Sequence, residues 1–346
     1  NYFYSILLLI LLIAILFSII LSYQFSFQNV DDSYISFRYG KNLMNGLGLV
    51  YNQGERVEGY TNFLWTVITA PLTKISFVDI STSTIIIGIV LSIMAIWLIA
   101  TITKNLIPNS HIFLLLFPAL IVSIDSSFVF WAVSGMETTL FTLLLIAIFY
   151  SYSKINEKTK YTNYLIITLI LSTMCRPEGA IVFGFIVINM FLYRRSFNEF
   201  NRIFFRILLN YALIIGMYLL FKYLYYGSIL PNTFHAKAVT NIGFNLNEGM
   251  DYLIVSYKAR FIILLPLLFL PFGRILKDYK LNFLFFFPIV YSVYILYVGG
   301  DWPGASRFIL PILPFIYILS AVGLNEIYQK FLKFESISLN LKKCSC

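Results

Sequence analysis

The sequence predicts an all-α polytopic membrane protein, a bundle of about ten transmembrane helices, and three observations lead there. Hydrophobic residues make up 59% of the 346 and charged residues only 12%, against roughly 25% charged in an ordinary soluble domain. Mean hydropathy is +0.82. Apolar stretches of spanning length, ~20 residues within a range of ~17–25, recur along most of the chain.

The first such stretch is 4–23. No basic leader precedes it and no small-residue cleavage site follows it, so it reads as a retained helix rather than a signal peptide. The chain opens at Asn1 without Met, and a few preceding residues are expected. Residues 24–81 form the first extracytoplasmic loop, with juxtamembrane helices. Within it, 31–62 is the longest polar run, DDSYISFRYGKNLMNGLGLVYNQGERVEGYTN, carrying Asp31, Asp32, Glu55, Glu58, Arg38, Lys41 and Arg56. The apolar segment 62–76 contains Pro71 and Lys74 and is ambiguous by hydropathy alone. The further spans are 82–103, 106–124, 137–153, 161–175, 179–193, 203–225, 259–273, 281–298 and 308–328. Residues 1–328 thus make one transmembrane domain. Residues 329–346 read as a solvated basic cytoplasmic tail, with truncation an open alternative.

Charge settles the ambiguous segment, because cytoplasmic loops carry the excess of Lys and Arg. With 62–76 lying on the membrane surface, 15 of the 25 cations share one side with five of the 16 anions. The other side is then close to neutral. Counting 62–76 as a span would move every later basic loop to the wrong side. Ten spans with both termini cytoplasmic follow. This asymmetry accounts for the net charge of +9 through the bilayer, and no nucleic-acid partner is expected. The three cysteines, Cys175, Cys344 and Cys346, form neither a disulfide framework nor a metal spacing. No internal repeat, low-complexity tract or separate soluble domain is visible.

The expected outer face collects the unusual residues. Besides the first loop these are Asp125 and Glu137 around SSFVFWAVSGM, Arg176 and Glu178 in RPEG, the segment 231–258 with Asn232, His235 and Lys237 in PNTFHAK, and Asp301, Trp302 and Arg307 in GGDWPGASR. Charges at a membrane edge are costly and mark functional sites by default. Asp31 and Asp32 repel one another, so at least one should meet a cation, a metal or a hydroxyl. One reading makes them a general base for an acceptor hydroxyl attacking an activated sugar. The other makes them an N-cap pair for a helix starting near Ser33. Arg38, Arg176, Lys237 and Arg307 could hold a phosphate, the arginines through bidentate forks, or could snorkel to lipid headgroups. Tyr34, Tyr60, Trp65, Trp131 and Trp302 could stack on a sugar or belong to an interfacial aromatic belt. Glu58, Glu137 and Glu178 could orient hydroxyls or pair with arginines. Asn62 and Asn232 join the substrate-binding set, and His235 is a base or acceptor contact. His111, at a cytoplasmic boundary, reads as structural. Asp31 or Asp32 with Asp125 and Glu137 could ligate a divalent cation, but the spacing does not support one, and no cofactor is expected.

DDSYISFRYGKNLMNGLGLVYNQGERVEGYTNFLW resembles the first outer loop of membrane glycosyltransferases with the GT-C fold. The resemblance is to the group related to the mycobacterial terminal β-1,2-arabinofuranosyltransferase. It continues in order through FWAVSGMETTLF, RPEG, GSILPNTFHAKA and GGDWPGASRFILPILP, covering most of 28–314. The resemblance implies a GT-C-like bundle in a bacterial cytoplasmic (inner) membrane, with a polyprenyl-phosphate sugar as donor, approached from the outer leaflet. It implies an envelope glycan or lipid-linked acceptor, surface-lying helices in the first loop, and a catalytic carboxylate at that loop's start, here Asp31 or Asp32. Asp31 is the expected base, with Asp32 and Glu58 positioning it or the sugar, and Arg176, Arg307 and Lys237 on phosphate. Single displacement without an enzyme nucleophile makes the transfer inverting. Two departures leave sugar and acceptor open. The arabinofuranosyl enzymes carry a C-terminal extracytoplasmic domain, and their Gly-Asp-Trp block commonly continues Met-Pro, whereas here Trp302 runs directly into Pro303. The rival reading is a flippase or transporter of lipid-linked glycan precursors. Such folds place binding groups near mid-membrane at broken helices, often with internal repeats, and neither feature is visible in the sequence.

Overall fold

In a bilayer an apolar segment must satisfy its backbone internally, which a helix does alone. The computed structural model describes residues 2–24, 29–232, 242–270, 272–301 and 306–344, and every regular element among them is helical. α1 (Tyr2–Gln24) is followed by the loop helices α2 (Ser33–Met44) and α3 (Phe63–Thr69). α3 runs into a 3₁₀ turn, Ala70–Lys74, containing Pro71. This pair is too short to cross a bilayer and packs on α2, with Ala70 pressed against Gly40. Segment 62–76 therefore forms no helix of spanning length.

α4 (Ile80–Leu106) starts where Asp79 accepts from the Thr82 N–H at 2.9 Å, an N-cap that satisfies an orphan donor. α5 (Ile112–Ile124) and α6 (Ser126–Ala132) are bent by 61°. The cause is Asp125, whose carboxylate accepts from the N–H groups of Ser127 and Phe128 and so begins a new helix. Then come α7 (Thr138–Ser153), α8 (Thr159–Cys175), α9 (Gly179–Leu192) and α10 (Phe200–Tyr226), which stops at Gly227 with φ 75°. Left-handed backbone at a helix end favours glycine. α11 (Ile242–Lys258) lies against α14 (Tyr279–Val298); between them are the short helices α12 (Phe261–Leu264) and α13 (Phe272–Ile275). α15 (Leu313–Cys344) is the last described helix.

Among the described residues five helical stretches are long and apolar enough to span: α1, α4, α10, α14 and Leu310–Leu332, or six with the bent α5–α6 pair. α7 and α9 are shorter apolar helices. The chain is a multi-pass α-helical membrane protein. Three expectations change. The span placed at 259–273 is not one helix but α12, a 3₁₀ turn at Leu265–Phe269 and α13, because Pro266 lacks the N–H that a continuing helix needs. Its carbonyl backs onto α15, where a Cβ on Gly323 would stand 2.2 Å from it. Within 231–258, expected as an outer connection, α11 forms a packed helix. The tail expected from 329 onward is helical as far as Cys344.

Contacts sort the connections onto two ends of the bundle. At one, Lys104 sits 4.5 Å over the Phe3 ring, Ser110 donates to Asn325 at 2.6 Å, and Tyr193 donates to the Leu276 carbonyl at 2.8 Å. Arg274 pairs with Glu326 there. This end holds the basic loops. The other gathers the first loop, the α6–α7 turn, the α8–α9 turn and the stretch before α15.

Candidate active site at the acidic end

The α8–α9 turn is RPEG, and its residue before proline, Arg176, is extended at φ −151°, as steric conflict with the proline ring requires. That conformation sends the guanidinium across the bundle. Arg176 Nη1 donates to Glu137 Oε1 at 3.0 Å and Nη2 to Glu178 Oε1 at 3.0 Å, all three side chains being buried. From the turn before α15, Arg307 Nη2 donates to the same Glu137 oxygen at 2.9 Å. The other Glu137 oxygen accepts from Asn62 at 2.8 Å, and Asn62 in turn accepts from Ser36 at 3.1 Å and Thr66 at 3.2 Å. Three distant chain regions thus meet on one carboxylate, and α2 joins them through Asn62.

The buried part of this network is electrically balanced, two arginines against two glutamates. Balance matters, because an unpaired charge at such a place costs several kcal/mol. Burial alone would raise the Glu137 pKa; Arg307 and Arg176, with the Asn62 amide, outweigh it and hold the carboxyl down at about 2. Burial likewise opposes ionisation of Glu178, and Arg176 overcomes it, leaving that pKa lowered. Aromatic faces complete the cradle: Arg307 lies 5.3 Å over Trp131 and Arg176 5.1 Å over Phe308.

Outward from this core the geometry loosens. Arg307 Nη1 is 3.9 Å from Asp32 and 3.8 Å from Asp301, distances of charge attraction rather than hydrogen bonding. Arg307 is largely covered, whereas the Asp32 side chain is 59% exposed. Asp32 stands at the N-cap of α2 yet makes no side-chain cap bond. The capping reading therefore does not hold for Asp32, and Asp31 accepts from the Asp32 N–H at 2.9 Å instead. Both carboxylates face outward at the start of α2. Trp65 is fully buried, its indole N–H donating to the Gly135 carbonyl at 2.9 Å. It props the α6–α7 turn and offers no open face for a sugar.

Glu58, Tyr60 and Asn232 belong to a second cluster. Glu58 pairs with Lys222 of α10 at 2.9 Å, its carbonyl accepts from the Asn232 N–H at 2.9 Å, and Tyr60 shares a hydrogen bond with Tyr226 at 2.9 Å. Burial raises the Glu58 pKa, and Lys222 offsets part of that. These groups fasten the first loop to the end of α10. Arg38 is exposed on α2, its Nε donating to the Tyr51 carbonyl at 3.2 Å, away from the Glu137 network. His235, Lys237 and Trp302 lie outside the described residues. Asp125 is taken up by Arg260 at 2.9 and 3.1 Å and by the Tyr317 hydroxyl at 2.8 Å. Together with the fully partnered Glu137, this leaves the suggested cation triad unassembled. Among the described residues no group of three His, Cys, Asp or Glu side chains could hold a metal.

The sequence reading passed over Lys222 and Arg260. Lys222 carried a signal, the single charge in the stretch of α10 that follows Arg206, which by membrane energetics should have a partner. Arg260 had none; it fell at the edge of a presumed span.

No family model matches the chain, and no solved structure matches it. The chain is similar to the terminal β-(1→2)-arabinofuranosyltransferase of Mycobacterium tuberculosis (strain ATCC 25618 / H37Rv), with 25% identity over 281 residues. The match covers 75% of this chain and 42% of the relative, so the chain spans less than half of that protein's length. The likeness supports a relationship to a glycosyltransferase.

Proposed function

We propose that the chain is a membrane glycosyltransferase that takes a sugar from a polyprenyl-phosphate carrier and places it on an envelope glycan or lipid-linked acceptor. The site faces outward from a bacterial cytoplasmic membrane, with the basic loops and both termini inside. The observation that carries this reading is the Arg307 guanidinium, set between buried Glu137 at 2.9 Å and exposed Asp32 at 3.9 Å. A cation and a carboxylate side by side at a membrane edge match the two needs of transfer from a lipid phosphate.

The acceptor hydroxyl attacks the anomeric carbon while Asp31 or Asp32 takes its proton. The bond from that carbon to the phosphate oxygen breaks, and the electron pair leaves with the polyprenyl phosphate. Arg307 meets the charge of the departing phosphate. One displacement inverts the anomeric centre. Arg176, spent on Glu137 and Glu178, acts through Arg307 rather than on phosphate directly, which revises its expected role. Glu58 and Tyr60 hold the loop. Arg38, Asn232, His235, Lys237, Asp301 and Trp302 remain proposed substrate contacts. The general-base role is tested with Asp31→Asn and Asp32→Asn in membranes supplied with a labelled polyprenyl-phosphate sugar. At least one variant is expected to lose transfer by ~10²-fold or more; full transfer by both removes the assignment.

A further inference from the structure

Arg307 does not sit on a helix, yet its guanidinium meets Glu137 with hydrogen-bond geometry, so something must hold its backbone. Its neighbour Ser306 is buried and has φ 51°, a left-handed conformation uncommon outside glycine. The two residues after it, Phe308 and Ile309, direct their N–H groups at one acceptor. That acceptor is the hydroxyl of Tyr252 on α11, at 2.9 and 3.2 Å. These N–H groups precede the 3₁₀ turn Leu310–Ile312 and are orphan donors of a helix start, which a side chain here satisfies from another helix. The same tyrosine also packs against Gly300. Gly300 has φ 74°, and a Cβ there would lie 2.7 Å from the Tyr252 ring. Ser256, one turn on, faces Ser306 hydroxyl to hydroxyl at 3.4 Å.

α11 can serve as an anchor because it is itself fixed on two sides. Gly249 packs on α14 so closely that a Cβ would stand 2.8 Å from the Leu296 Cα, and Tyr257 bonds Ser292 at 2.8 Å. Just past its end, Arg260 is locked to Asp125 of the α5–α6 bend at 2.9 Å, to Tyr317 of α15 at 3.0 Å and to Ser127 at 3.0 Å.

We infer that Tyr252 is a positioning residue that aims Arg307 at the lipid-phosphate end of the donor, through the Phe308 and Ile309 N–H groups its hydroxyl holds and the Gly300 backbone against its ring. The inference rests on the proposed reaction for its ligand but not for its geometry, and two double-mutant cycles separate these. The variants are Tyr252→Phe, which keeps the ring on Gly300 and deletes the acceptor, Arg307→Met, and the pair. In the first cycle, without ligand, thermal unfolding in detergent is followed. Tyr252→Phe is expected to lower the midpoint clearly in the wild-type background and by less than half as much alongside Arg307→Met, because the Glu137 contact it secures is then already gone. In the second, binding of polyprenyl phosphate is titrated by intrinsic tryptophan fluorescence. Tyr252→Phe is expected to weaken binding ~10-fold alone and less than ~2-fold in the Arg307→Met background. Equal effects in both backgrounds in the first cycle overturn the inference, whatever the second shows. Coupling in the first cycle with no binding by the wild type keeps Tyr252 as the anchor of Arg307 and counts against the phosphate donor. Should Tyr252→Phe not fold, Ser256→Ala removes only the hydroxyl facing Ser306, and the same pattern at smaller amplitude is required of it.

Discussion

The Glu137 carboxylate accepts from three side chains: Arg176 at 3.0 Å and Arg307 at 2.9 Å on one oxygen, Asn62 at 2.8 Å on the other. Glu137→Gln keeps the shape but has a single oxygen. Turned toward the arginines, it sets its NH2 against the Asn62 NH2; turned the other way, it sets NH2 against two guanidinium groups. The first is the cheaper arrangement. It leaves a buried amide unsatisfied, about 1–3 kcal/mol, and converts two bonds of ~1.5–3 kcal/mol each, both to a charged acceptor, into weaker ones. It also leaves the buried Arg176 and the largely covered Arg307 with one buried glutamate between them. Together these amount to about 3–5 kcal/mol, the range found when one partner of a buried ion pair is removed. The assay is reversible unfolding by SDS titration in mixed micelles, reading helical circular dichroism against SDS mole fraction. A Glu137→Gln protein within ~0.5 kcal/mol of wild type, the size of an ordinary surface substitution, would refute the view that this carboxylate holds the site together.

Glu58 tests the same rule on a pair that can be removed whole. Glu58→Gln strands the buried Lys222 and is expected to cost about 3–5 kcal/mol, whereas the Glu58→Gln, Lys222→Met pair is expected to be close to neutral, read in the same titration. The two glutamates also predict opposite pH slopes. The Glu137 pKa is depressed from 4.5 to about 2, so its contribution is complete above pH ~4.5 and is lost as pH falls toward 2. The Glu58 pKa is raised above 4.5, so its contribution falls as pH rises from ~4.5 through the raised value. Comparing pH–stability profiles of wild type and each Gln variant should show the difference curves sloping in opposite senses. Finally, a Cβ on Gly88 of α4 would stand 1.8 Å from the Ala132 carbonyl oxygen at the end of α6. That atom is backbone and cannot swing away, so Gly88→Ala should reduce folded protein recovered in detergent, measured by fluorescence-detected size exclusion. Recovery equal to wild type would show that α4 and α6 are not held this closely.

The membrane class and most helices were legible in the chain because they depend on local properties. Uninterrupted apolar runs make helices wherever water is absent, without reference to any partner. That segment 62–76 forms no spanning helix also agrees with Pro71. The candidate site was legible as a set of residue types gathered at one end, Asp32, Glu137, Arg176, Glu178 and Arg307 among them. Their division of labour was not. Whether an arginine meets a ligand or a glutamate depends on which distant segment packs beside it, and only the tertiary structure spent Arg176 on two carboxylates, paired Glu58 with Lys222, enclosed Trp65, and left Asp32 outside beside Arg307. The same holds for Tyr252, whose role rests on helix α11 lying against a turn some 50 residues away in sequence. Periodicity and composition carry one-dimensional information; desolvation and pairing are set by neighbours in space.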